Sequence, residues 1–172
     1  METSSFESYP LKVVFLSIAT SFLIYALGFV IISRIGILYA VIYLLYCLWV
    51  ESKILRKSCT QCYYYGKVCG FGKGKVCSVF FRKADTQMSE GRKISWTDII
   101  PDMLVLVIPL VVGIVMLFRD FGWLRVVFVA LLVLLSFIGN AVIRGMFTCI
   151  YCRQRELGCP AAQFFGSRNK LG

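Results

Sequence analysis

Seven of the eight cysteines in this 172-residue chain fall into two groups: Cys59, Cys62, Cys69 and Cys77, then Cys149, Cys152 and Cys159. A Cys-x2-Cys pair places two thiolates on one tight turn, and in the first group Cys69 and Cys77 can close a second turn onto the same ion. Gly66, Gly70, Gly72 and Gly74 permit the sharp backbone of such a knuckle, and Lys67, Lys73 and Lys75 offset the charge that four thiolates leave around a divalent ion. The chain has no histidine. A site built here is therefore all-sulfur, which selects zinc or an iron–sulfur cluster over magnesium, calcium or manganese. The second group has three cysteines, and its fourth ligand is open: Cys77, a side chain outside the pattern, or an exogenous ligand. The eighth cysteine, Cys47, sits in an apolar run and reads as a small packing residue.

The spacing Cys-x2-Cys-x6-Cys occurs twice, at 59–69 and 149–159. It resembles the six-cysteine binuclear zinc cluster of fungal zinc-cluster DNA-binding domains. That resemblance covers the six cysteines alone and implies a geometry for sharing zinc, not DNA binding. The Cys159-Pro160 pair is similar to the end of bacterial ferredoxin motifs, although their close Cys-x2-Cys-x2-Cys run is absent. Structural zinc is the leading expectation, with an iron–sulfur cluster and redox-active or metal-free thiols as alternatives.

The elements that must position these cysteines are apolar blocks. Hydrophobic residues make up 59% of the chain, charged residues 16%, and the mean hydropathy is +0.77, outside the range of an ordinary soluble domain. Four blocks, Val13 to Ser33, Ile35 to Val50, Ile99 to Phe118 and Phe121 to Ile143, approach the ~20 residues that carry a helix through a bilayer. Each must be helical there, since lipid offers no partner to backbone N–H and C=O groups. The second block is short, to be completed by snorkelling of Glu51 and Lys53. A tight turn at Arg34 separates it from the first. The leader Met1 to Pro10 carries Glu2 and Glu7 without a basic residue, unlike a signal peptide, so the first block is expected to remain as a span.

The expected fold class is an all-α polytopic membrane protein: four transmembrane helices as two tandem-repeated hairpins, each followed by a cysteine-rich knuckle. Residues 1–83 form the first repeat with its loop at 59–77, residues 84–98 a linker, and residues 99–172 the second repeat with its cysteine-rich tail at 149–159. Because each hairpin enters and leaves on one side, both cysteine groups face one compartment and can meet.

Basic residues set the orientation. Lys53, Arg56, Lys57, Lys67, Lys73, Lys75, Arg82, Lys83, Arg92 and Lys93 lie between the second and third blocks, and Arg144, Arg153, Arg155, Arg168 and Lys170 follow the fourth; the two short turns hold Arg34, Arg119 and, at the edge, Arg125. The positive-inside rule places the central loop and both termini in the cytoplasm, in a cell-membrane protein. Thiols are kept reduced there, which disfavours disulfides. The formal charge of +10 reads as topology and attraction to anionic lipid, and no nucleic-acid partner is expected. Asp98 and Asp102 open the third block while Asn140 and Arg144 close the fourth, offering an Asp102–Arg144 pair at the interface. Tyr63, Tyr64 and Tyr65 suit an interfacial belt that seats the knuckle on headgroups.

No catalytic constellation emerges: Gly70, Gly72 and Gly74 lack a Walker ending, and a chain without histidine holds no usual haem or Ser-His site. The expected function is a membrane scaffold whose zinc-stabilised knuckle docks a cytoplasmic or membrane protein partner. The alternative is an electron-transfer component with iron–sulfur clusters or redox thiols, and a small transporter ranks third.

Overall fold

The computed structural model describes residues 6–83 and 96–153. Every regular element among them is helical, and four helices are long and apolar enough to cross a membrane. They are built on α1 (Leu11–Ser33), α2 (Ile37–Ile54), α4 (Trp96–Arg119) and α5 (Trp123–Leu134), the last as the start of a helical run to Thr148, with a short α3 (Lys73–Phe80) after α2. At 23 residues, α1 is about 34 Å long at the α-helical rise, enough for a ~30 Å hydrocarbon core. Large apolar side chains such as Phe15, Phe22, Leu38, Leu45 and Leu134 point outward, the reverse of a water-soluble helix.

Two helices run beyond their apolar blocks. α2 continues through a π-helical turn at Leu55–Cys59, so the second candidate span covers Ile37–Cys59 and is not cut short at Val50. Charge ends the apolar block at Glu51, but no glycine or proline interrupts the backbone from there to Cys59. Glu51 accepts the Tyr25 hydroxyl at 2.5 Å, so its carboxylate is held within the protein. α5 likewise continues through π-helical turns at Leu135–Gly139 and Ile143–Thr148, flanking Asn140–Val142. Both extensions finish at or just before the first cysteine of a Cys-x2-Cys pair.

Residues 19–52 and 95–140 form one compact unit. Its core is Ile24, Ile31 and Leu132, with Leu27 of α1, Leu106 and Val112 of α4, and Phe128 and Val129 of α5 packed around them. α2 contributes a narrow buried stripe of Ala40, Tyr43, Cys47 and Val50, at the three- and four-residue spacing of one helical face; Cys47 packs there, 2% exposed. Asp102 lies within electrostatic reach of Tyr25 and Tyr46, and the Arg144 side chain expected to pair with it lies outside the described residues.

Tyr43 repairs a defect that the sequence builds into α4. Pro109 has no N–H, so the carbonyl four residues before it, that of Val105, loses its helical donor. The Tyr43 hydroxyl donates to that carbonyl at 2.9 Å. Gly28 of α1 makes room, since a Cβ there would meet the Tyr43 hydroxyl and lie 2.8 Å from its Cζ. Tyr43→Phe should therefore cost about 1–2 kcal/mol. In a Pro109→Ala background, where an N–H is restored, that cost should largely vanish. Reversible unfolding in mixed micelles reads both, and strictly additive effects would contradict the assignment.

A candidate cysteine knuckle

Among the described residues, the second compact unit comprises 6–18, 53–83 and 141–153 and holds Cys59, Cys62, Cys69, Cys77, Cys149 and Cys152. The first Cys-x2-Cys pair forms a closed turn: the Cys62 N–H donates to the Cys59 carbonyl at 3.3 Å, and the Tyr65 N–H to the Cys62 carbonyl at 3.0 Å. A second turn follows at Cys69, whose carbonyl accepts the Gly72 N–H at 2.9 Å. Gly72 has φ = 70°, a left-handed conformation that suits glycine, and it starts α3. One residue into α3, the Gly74 N–H points at the Cys69 sulfur, 3.2 Å away.

Gly74 is also the point of closest approach. A Cβ there would collide with the Tyr64 carbonyl oxygen and sit 2.6 Å from that of Lys67. The Gly74 carbonyl accepts the Gly66 N–H at 3.1 Å, so α3 is tied to the Tyr64–Lys67 turn from both sides. α3 carries Cys77, which is fully buried and whose thiol donates to the Leu55 carbonyl at 3.5 Å, at the head of the π-helical turn. Burial pushes the Cys77 thiol up, and neighbouring Cys69 adds to the effect. Cys59, at the other end of that turn, feels Cys69, Cys77, Lys73 and Cys62. Cys59 thus has the other three thiols of the first group within electrostatic reach. Of the three lysines, Lys73 acts on it, whereas the Lys67 ammonium lies over the Tyr63 ring, 4.7 Å from its centroid.

The second group meets the first through aromatic residues. The Cys152 N–H donates to the Cys149 carbonyl at 3.4 Å, repeating the turn of the first pair, and the Phe6 N–H donates to the Tyr151 carbonyl at 3.1 Å. The Tyr64 hydroxyl donates to the Phe6 carbonyl at 2.6 Å and accepts the Arg153 N–H at 3.2 Å. The Tyr9 hydroxyl donates to the Thr148 carbonyl at 2.6 Å. Tyr9, Val14 and Tyr64 form a buried core against which Cys62, Cys69 and Cys152 all pack. Burial, reinforced by Cys152 and Tyr64, raises the Tyr9 phenol far above its ordinary range and keeps it a neutral donor.

Two features escape a reading by spacing alone. Tyr64 is 1% exposed, so the middle tyrosine of the run is core and not interfacial belt. The segment Phe6–Tyr9, which reads as a leader, closes the cysteine unit. Its signal was present as two aromatics ahead of Pro10, whose carbonyl accepts the Val13 N–H at 3.0 Å at the start of α1.

All seven described cysteines are free thiols, and Cys159 lies outside the described residues. Among the described residues, no three cysteine, aspartate or glutamate side chains stand as a formed metal cage. The donor chemistry is soft, and holding an ion requires the thiols to draw together. No protein-family model, curated protein or solved structure matches the chain. The functional reading rests on these residues.

Proposed function

We propose that this chain is a four-span membrane protein whose cytoplasmic knuckle of Cys59, Cys62, Cys69 and Cys77 binds zinc and forms a folded docking face for a protein partner. The observation that carries this reading is the Gly74 N–H directed at the Cys69 sulfur, 3.2 Å away, in a group where Cys59 has the other three thiols within electrostatic reach. Thiolate is the form of cysteine that binds metal, and a backbone N–H aimed at the sulfur is a donor that a metal-bound thiolate can accept. Zinc brings its own charge, so thiols that burial keeps protonated in the free protein are deprotonated on binding. The tail triplet Cys149, Cys152 and Cys159 serves as a second or shared site in a duplicated plan. The matching π-helical turn and Cys-x2-Cys turn at 55–62 and 143–152 support that duplication.

A second reading, redox thiols in membrane electron transfer, is favoured by one observation: Cys62 and Cys152 pack against the same Tyr9–Tyr64 core. Colour separates the iron–sulfur version, since zinc protein is colourless and iron–sulfur protein brown. Sealed vesicles test orientation and metal together. In inside-out vesicles, a chelator should expose residues 59–82 to protease, and in right-side-out vesicles protease should leave them intact. Cleavage of that stretch in right-side-out vesicles overturns the topology. Indifference to the chelator overturns the metal.

A further inference from the structure

The unit formed by residues 19–52 and 95–140 holds a cavity of about 280 Å³. It lies where α1 gives way to α2 and α4 to α5, with Ile31, Gly113, Met116 and Phe128 on its apolar wall and Arg34 and Arg125 on its rim. The two arginines are in different states. Arg125 is committed, since its guanidinium binds the Asp120 carboxylate and carbonyl oxygens. Arg34 is exposed, and no side-chain hydrogen bond or ion pair engages its guanidinium among the described residues.

The aromatic residues around the α4–α5 turn fix the level of the rim. Phe118, Phe121 and Trp123 are 88%, 75% and 76% exposed, a cluster that suits the boundary between acyl chains and headgroups. A guanidinium without a partner at that level faces lipid phosphates, which it can bind in bidentate fashion. The volume below it equals about nine water molecules, yet the wall offers water few polar partners. A segment of acyl chain fits such a wall better.

We propose that this cavity is a binding site for a single anionic phospholipid, its headgroup phosphate on Arg34 and one acyl chain against Ile31, Gly113, Met116 and Phe128. Gly113 sets the depth of the wall where α4 meets α5, because a Cβ there would lie 2.6 Å from Val129 Cγ2. Asp120 holds Arg125 aside, which leaves Arg34 as the uncommitted arginine of the cavity lining. The site is independent of the cysteine knuckle, and its test makes no use of metal.

Native mass spectrometry of the delipidated full chain, titrated with phosphatidylglycerol, measures the site directly. One phosphatidylglycerol should bind in preference to uncharged diacylglycerol, and millimolar inorganic phosphate should not displace it. Arg34→Gln should weaken binding about tenfold, and Arg34→Lys should retain most of it. Equal binding of diacylglycerol, displacement by inorganic phosphate, or undiminished binding to Arg34→Gln would each overturn the proposal. If Arg34→Gln does not fold, the wild-type comparison of phosphatidylglycerol with diacylglycerol decides it.

Discussion

Gly74→Ala should open the cysteine knuckle. The new Cβ has nowhere to go: its neighbours would be the carbonyl oxygens of Tyr64 and Lys67, backbone atoms of a turn already closed by the Lys67 N–H on the Tyr64 carbonyl at 3.0 Å. Relief requires α3 to move off that turn, breaking the Gly74 bond to the Cys69 sulfur and the Gly66 bond to the Gly74 carbonyl. Overpacking against rigid backbone should cost about 3 kcal/mol or more. Cys77 would leave Cys59 with it. The expected result is protease sensitivity between residues 59 and 82 and reduced bound metal, with membrane insertion unchanged because the bilayer still holds the spans. Gly139→Ala is the matched control, since a Cβ there would meet Thr20 at an ordinary 3.6 Å. Equal protease resistance in both variants would show that the approach of α3 to the turn is not essential.

Cys62→Ser should have the second large effect. Removing one thiolate from a four-sulfur zinc site takes away a ligand outright, and loss of a mere supporting contact already lowers affinity ten- to a hundredfold; zinc affinity should fall by more than about 100-fold. Because metal binding is coupled to folding of its loop, the same variant should become protease-sensitive between residues 59 and 82. Cys152→Ser should act on the tail after Cys149 in the same way. Cys47→Ser removes a thiol buried in the α2 stripe, outside the knuckle unit, and should leave metal content unchanged. Full metal content and protease resistance in both Cys62→Ser and Cys152→Ser would remove these cysteines from the list of ligands.

Much of the architecture was legible because lipid leaves few options. An apolar run of sufficient length must be a helix, and the turn at Arg34 and the pair α4–α5 follow from where those runs break. The ends were less legible. Glu51 and Lys53 interrupt hydropathy without interrupting backbone bonding, so α2 reaches Cys59 through a π-helical turn that no residue type announces. The site divides in the same way. Spacing identifies Cys59, Cys62, Cys69 and Cys77 and the glycines between them. It says nothing of Phe6, Tyr9 and Tyr64, whose contacts span |i−j| of 58 for Tyr64 to Phe6 and 139 for Tyr9 to Thr148. Partners so distant in sequence leave no periodic trace, and an aromatic beside an apolar block reads equally well as belt or core. The role of Tyr43 lay within reach, because Pro109 implies an orphaned Val105 carbonyl and a buried hydroxyl on a neighbouring helix is its natural donor.

Whether the first cysteine group binds zinc is decided by elemental analysis of the full chain purified anaerobically, without added metal or chelator. The expected result is at least one zinc per chain, little iron, no visible absorption, and loss of that zinc in Cys62→Ser. Protein that is free of zinc while still folded and protease-resistant between residues 59 and 82 would contradict it, as would brown protein with iron and sulfide in stoichiometric amounts.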